Sequence, residues 1–201
     1  MNVGIFIYDQ AEVLDFSGPY EVFSTAFRVS QCKDSCKVFL VSESGETVTA
    51  RAGYRVIPDY SFSDHPEIDV LIVVGGEHNE QMNKQEVLDW ITVQSNKAKI
   101  TASVCTGVFL LAKAQVLHAH RVTTHWEDIP QLKAMFPNLK VIEGVRWVDE
   151  GALVSSGGIS AGIDMSLHLL SRLFDGALAE KTAKQMEFAW TKSSGVESQT
   201  L

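Results

Sequence analysis

The chain has 201 residues, 45% of them hydrophobic and 21% charged, and a formal net charge of -8. That length suits one domain with a substantial core, at the usual figure of about 100 to 200 residues per domain, and the residue balance is that of a soluble globular protein. The negative charge opposes nonspecific attraction to nucleic acid or to an anionic membrane, and no basic run offsets it.

The opening residues, MNVGIFIYDQ, lack a positive segment and reach Asp9 too early for a signal peptide. No apolar run approaches the roughly 18 residues needed to span a bilayer, so the expected address is the cytosol. Val3 to Tyr8 reads as a buried strand, and Asp15, Phe16, Ser17, Gly18 and Pro19 open a helix through Phe27, with Asp or Ser as cap and Pro in its first turn. Cys36 to Val41 is a second strand, and Glu43 to Ile57 suggests short strands or a hairpin before Pro58. Asp69 to Val74, DVLIVV, is the strongest buried strand; Gly75 and Gly76 end it, and a helix centred on Val87 to Gln94 follows. Ile100 to Ser103 is a strand that turns at Cys105 into a helix beginning near Val108.

Beyond it, Arg121 to Thr124 is a short strand, and Trp126 to Phe136 a helix with Pro130 in its first turn. Val141 to Glu143, Arg146 to Val148 and Ala152 to Ser155 are short strands around turns at Gly144 and Gly151. Ile159 to Phe174 places Ile163, Leu167, Leu170 and Phe174 on one helical stripe, and Ala177 to Phe188 is a last helix. Residues 1–190 form a single domain in this reading, and 191–201 a polar tail. Strands alternating with helices imply an α/β three-layer sandwich with a mostly parallel central sheet. Ligands bind such sheets beyond the carboxyl ends of the strands, where the loops after Tyr8, at Gly75 and Gly76, and at Cys105 would converge.

Cys105 is the first candidate for chemistry. At a helix start, free N-H groups and a partial positive charge favour a thiolate and lower a cysteine pKa from about 8.5 toward roughly 3.5 to 7.5. The alternative is a buried structural cysteine. Asp15 follows the first strand closely enough to reach the neighbouring strand ends, where it would share a proton with Cys105; the alternative is helix capping. Glu21, further along the same segment, belongs on the helix outside the pocket. The N-H groups of Gly76 and Thr106 would be two donors for developing charge, although paired glycines also mark ordinary turns. Of six histidines, His125 in RVTTHW ends a strand at the cleft edge, whereas His65, His78, His118, His120 and His168 read as solvated or packing residues.

Three cysteines, an odd number, suit a reducing compartment. Cys32 and Cys36 in QCKDSCK have no further ligand at metal spacing, and metal sites need three or four. SSGGISAGID matches neither phosphate-binding glycine pattern and reads as a strand-to-helix turn.

Taken together, VLDFSGPYEVF, VVGG, ASVCTGVFLLA, RVTTHW and SSGGISAGID resemble the ThiJ/PfpI superfamily, also described as class I glutamine-amidotransferase-like, and most closely its isonitrile hydratase branch. The resemblance runs from Val3 to about Trp190. It implies a flavodoxin-like sandwich with a nucleophile elbow at Cys105, Asp15 as acidic partner, Gly76 and Thr106 as backbone donors, and His125 beside the site. It further implies a small-molecule substrate, no metal or organic cofactor, commonly a homodimer, and cysteine-dependent hydration of isonitriles to N-substituted formamides. A non-catalytic metabolite-binding domain and a glyoxalase-like activity on small carbonyl compounds are the alternatives. Peptidase-like relatives carry His directly after the cysteine, where this chain has Thr106. Related transcription regulators add a helix-turn-helix region to the domain; with the chain ending at Leu201, the expectation here is a free-standing domain.

Overall fold

The computed structural model describes residues 1–30, 35–192 and 195–197. In chain order the elements are β1 (Asn2–Phe6), α1 (Val13–Val29), β2 (Lys37–Ser42), β3 (Val48–Thr49), β4 (Arg55–Val56), β5 (Tyr60–Ser61), β6 (Val70–Val73), α2 (Gln85–Lys97), β7 (Ile100–Val104) and α3 (Gly107–Lys113). They continue with β8 (Arg121–Val122), α4 (Ile129–Met135), β9 (Lys140–Val141), β10 (Trp147–Asp149), β11 (Leu153–Ser156), α5 (Ala161–Leu173), α6 (Gly176–Gln185) and β12 (Gly195–Glu197).

Eight strands form the central sheet, in the order β12-β10-β11-β7-β6-β1-β2-β5. Every pairing is parallel except β10 with β11, so the α/β sandwich with a mostly parallel sheet expected from the sequence is the fold observed. The most apolar runs take the middle: all four residues of β6 and all five of β7 are buried, as a strand covered on both faces requires. Helices α1, α5 and α6 pack on one another, and α2 packs on α3. Phe6, Leu71, Ile72, Phe109 and Leu110 are among the largest fully buried side chains between these layers. Among the described residues no helix is long and apolar enough to cross a membrane.

Several boundaries differ from the sequence reading for identifiable reasons. Helix α1 starts at Val13, two residues before Asp15, so Asp15 is a first-turn residue rather than a cap, and Pro19 lies inside the helix. Pro19 cannot donate to the Asp15 carbonyl four residues back, so the helix loses that one bond where the Asp15 side chain leaves it. The 121–124 strand shortens to β8 and pairs with β9 in a separate two-stranded ribbon, outside the main sheet. Residues 43–57 contain the expected hairpin, β3 with β4. The polar end also departs from expectation: Gly195–Glu197 joins the sheet edge as β12 beside β10. Residues 193–194 and 198–201 of that tail, and Cys32 of the Cys32–Cys36 pair, lie outside the described residues.

Candidate active site

Strands β1, β6, β7 and β11 run parallel and end together, and the site is built on that edge. Cys105 follows β7 immediately and has φ 56°, a left-handed conformation that β-carbon-bearing residues adopt uncommonly. Both its backbone groups are tied down: the N-H donates to the carbonyls of Ser156 and Gly157 at 3.2 and 3.3 Å, and the C=O accepts from Thr124 Oγ1 at 2.9 Å. The turn into α3 is possible because Gly107 has no side chain; a Cβ there would stand 2.1 Å from the Val73 carbonyl oxygen. The geometry is a tight strand-to-helix elbow with Cys105 at its apex, held by the strands on either side.

Asp15 reaches the same place from α1 and is fully buried. Its Oδ2 accepts from the Gly75 N-H at 3.0 Å, at the end of β6, and its Oδ1 accepts from the Ile159 N-H at 3.1 Å, beyond the end of β11. The carboxyl therefore bridges the two loops that flank the cysteine strand. Burial raises its pKa from 3.8 to about 7 against the two backbone hydrogen bonds, which lower it. Asp15 and the Cys105 thiol shift each other, the carboxylate's charge raising the thiol and the thiol lowering Asp15.

The direction of the cysteine's shift reverses the sequence expectation. Burial first, and then the negative charge of Asp15, push the Cys105 thiol well above its ordinary value, while the Thr106 N-H opposes them. Helix α3 has only seven residues, too little dipole to outweigh a nearby carboxylate and lost solvation. The resting sulfur is thus a thiol beside a carboxyl poised near neutrality. Tyr8, buried beneath and donating to the Val74 carbonyl at 3.1 Å, is pushed up by the same burial and by Asp15.

Gly76 does not offer the free donor expected of it. Its N-H donates to Thr106 Oγ1 at 3.0 Å, and the Thr106 hydroxyl donates back to the Gly76 carbonyl at 3.1 Å. The pair locks the β6 loop to the elbow, and Gly76, at φ 138°, approaches Gln10 so closely that a Cβ would lie 2.3 Å from its carbonyl oxygen. Gly75, one residue earlier, holds the carboxyl instead. Thr106 keeps its backbone N-H toward the Cys105 sulfur.

A cavity of about 340 Å³ opens above Cys105, and Gly76, Thr106 and His125 line it with the cysteine. His125 faces acids on its own segment, its Nδ1 lying 3.4 Å from Asp128 Oδ2 and 3.9 Å from Glu127 Oε2. Glu21, as expected, stays outside and accepts from Thr25 Oγ1 at 2.8 Å. His78, read from the sequence as a solvated or packing residue, does pack, lying buried on Phe109 with ring centroids 4.6 Å apart, but it also lines the cavity. Its place two residues after Gly76, at the end of the most buried strand, was the available signal. Ile159 was read only as a helix start, yet its N-H holds Asp15 from a left-handed φ of 57°. Among the described residues no group of three or more His, Cys, Asp or Glu side chains is placed to hold a metal ion.

Comparison with known proteins adds four findings. The DJ-1/PfpI family model matches residues 1–172. An isonitrile hydratase of Pseudomonas putida is 33% identical over 193 residues, which cover 94% of this chain and 79% of that one. The HTH-type transcriptional regulator GbdR of Pseudomonas aeruginosa is 26% identical over 85% of this chain, which spans only 46% of the regulator. On the fold itself, a ThiJ/PfpI family protein from Pseudomonas syringae superposes with a TM-score of 0.82 at 24% identity, over 96% of this chain and 76% of that one.

Proposed function

The chain belongs to the DJ-1/PfpI family, and from that premise we propose that it hydrates small isonitriles to N-substituted formamides, with Cys105 as nucleophile and Asp15 as proton carrier. The observation that carries this reading is the buried pair: a thiol lining a cavity, beside a carboxyl whose pKa burial raises to about 7, so that it can both take and give a proton. Identity of 33% to an isonitrile hydratase supports the substrate class.

The chemistry follows from a neutral starting thiol. Ionised Asp15 takes the thiol proton as the sulfur bonds to the terminal carbon of R-N≡C, then returns that proton to the same carbon, giving the thioimidate R-N=CH-S-Cys. Ionised once more, Asp15 takes a proton from water while the water oxygen adds to the carbon and the nitrogen gains the proton. The adduct R-NH-CH(OH)-S-Cys then loses its hydroxyl proton and breaks its C-S bond, releasing R-NH-CHO; the sulfur recovers the proton. The sum is isonitrile plus water, with no change of oxidation state that a redox cofactor would have to balance. The Thr106 N-H supports the sulfur when it carries charge.

The test is product analysis of purified protein given an alkyl isonitrile and, separately, methylglyoxal. Formamide from the first, with kcat/KM rising with pH through about 7 as Asp15 ionises, is the expected result. Lactate from the second without any formamide would move the assignment to a glyoxalase-like reaction. A binding domain without turnover is the second reading, favoured by the protonated resting state of Cys105 and by the likeness to a transcriptional regulator. Saturable binding of an isonitrile with neither product would select it.

A further inference from the structure

The walls of the cavity above Cys105 carry a charge pattern that the hydration chemistry does not use. Glu12, Glu77, Glu127 and Asp128 line it, against Arg51 and His125. Arg51 is already committed, its Nη2 lying 2.8 Å from Glu77 Oε1 and its Nε 3.6 Å from Glu12 Oε2. His125 faces Asp128 and Glu127, and His78 is the other histidine of the lining. The four carboxylates therefore outnumber the cations even with both histidines of the lining protonated.

An independent feature points the same way. His78 is 5% exposed, lines this cavity, and its Nδ1 meets the Gly76 carbonyl at 3.2 Å. A carbonyl only accepts, so a hydrogen sits on Nδ1, and in the neutral form of the ring Nε2 is an acceptor. That Nε2 is buried with no hydrogen-bond partner among the described residues. A buried acceptor without a donor is unfavourable until something supplies one.

We propose that this cavity selects substrates bearing a cationic, hydrogen-bond-donating group such as an ammonium, and turns away carboxylate- or phosphate-bearing ones. The inference deepens the isonitrile reading, making the substrate an amine-bearing isonitrile, but the selecting field belongs to the walls. It can therefore be measured without turnover. Walls of one sign around a low-dielectric cleft concentrate the opposite charge and raise its encounter rate by roughly 10 to 1000-fold.

The experiment measures modification of Cys105 by three methanethiosulfonates: 2-ammonioethyl, methyl and 2-sulfonatoethyl. In each, the Cys105 sulfur displaces methanesulfinate and forms a mixed disulfide, the thiol proton passing to solvent. Mass spectrometry of the Cys105 peptide separates this from reaction at the other cysteines, and each rate is divided by that of a free small thiol. The expected order is cation, neutral, anion, with at least about a tenfold span at low ionic strength that shrinks in 0.5 M salt. Glu77→Gln combined with Glu127→Gln, with folding checked by circular dichroism, should narrow the span. Equal rates, a reversed order, or failure of all three reagents to reach the thiol would overturn the proposal. Formamide production from a neutral isonitrile alongside equal modification rates would sink the selectivity while leaving the hydration reading intact; the expected order without any formamide would do the reverse.

Discussion

Asp15 gives the residue scale its clearest consequences. Its shift from 3.8 to about 7 means the folded state holds this proton more tightly than the unfolded chain, by about 4 kcal/mol at 1.36 kcal/mol per unit. A group with a raised folded pKa contributes stability that is fully present below its unfolded value and is lost as pH rises through its folded value. Stability should therefore fall between about pH 4 and pH 7, and chemical denaturation at a series of pH values should show Asp15→Asn flattening that slope. The same variant turns an amide N-H toward either the Gly75 or the Ile159 N-H, losing one hydrogen bond, so at pH 5 it should be less stable than the parent by about 1 to 3 kcal/mol. Gly75→Ala is a second test. Its Cβ would lie 2.6 Å from the Thr106 N and 2.8 Å from Asp15 Oδ2, so it should cost both stability and formamide production. That Cys105 and Asp15 come to one sheet edge was legible in the sequence, because alternating strands and helices carry the loop after the first strand to the turn at Cys105. The direction of the thiol's shift was not: it depends on burial and on how near the carboxyl stands, and neither is written in the local pattern.

At the scale of elements, the site depends on β6, β7 and β11 ending level and on α3 packing tightly against β6. Gly107→Ala tests that packing. The added methyl would sit 2.1 Å from the Val73 carbonyl, below any tolerated contact, and backbone cannot move aside as a flexible side chain would. The gain of about 1 kcal/mol from helix propensity is outweighed by overpacking of about 1 to 3 kcal/mol or more, so a lowered denaturation midpoint is expected. The apolar run in 69–74 and the β-formers and small residues of 100–103 announced their strands, and β6 and β7 are buried at every residue, as doubly covered strands are. The weaker elements were harder to place. Residues 121–122 have the composition of a strand, yet their partner is β9 in a side ribbon; pairing is set by tertiary position, which a short run cannot encode. β12 is polar and glycine-containing, and it becomes a strand because the free edge of β10 receives it, with Gly195 seated where a Cβ would lie 2.0 Å from the Trp147 ring.

For the whole molecule, the parallel sheet serves to bring three distant loops to one edge. Asp15 and Ile159, 144 residues apart, meet across the cysteine through a single hydrogen bond. That convergence was predictable from alternating strands and helices, because parallel sheets bind at their carboxyl edge. The acidic cavity wall was not, since Glu12, Arg51, Glu77 and Asp128 come from four separate segments that only the fold assembles. Core truncation should act globally: Ile72→Ala, fully buried in the central strand β6, should cost about 2 to 5 kcal/mol and lower the midpoint of every folding probe together. The central claim is that the Cys105 sulfur bonds to the substrate carbon. Its most direct measurement is the rate of formamide formation from one alkyl isonitrile by the parent protein and by Cys105→Ala, with both shown to be folded. A loss of at least about a thousandfold in the variant is predicted, since covalent catalysis ends with the sulfur. Formamide released by Cys105→Ala at the parental rate would contradict it.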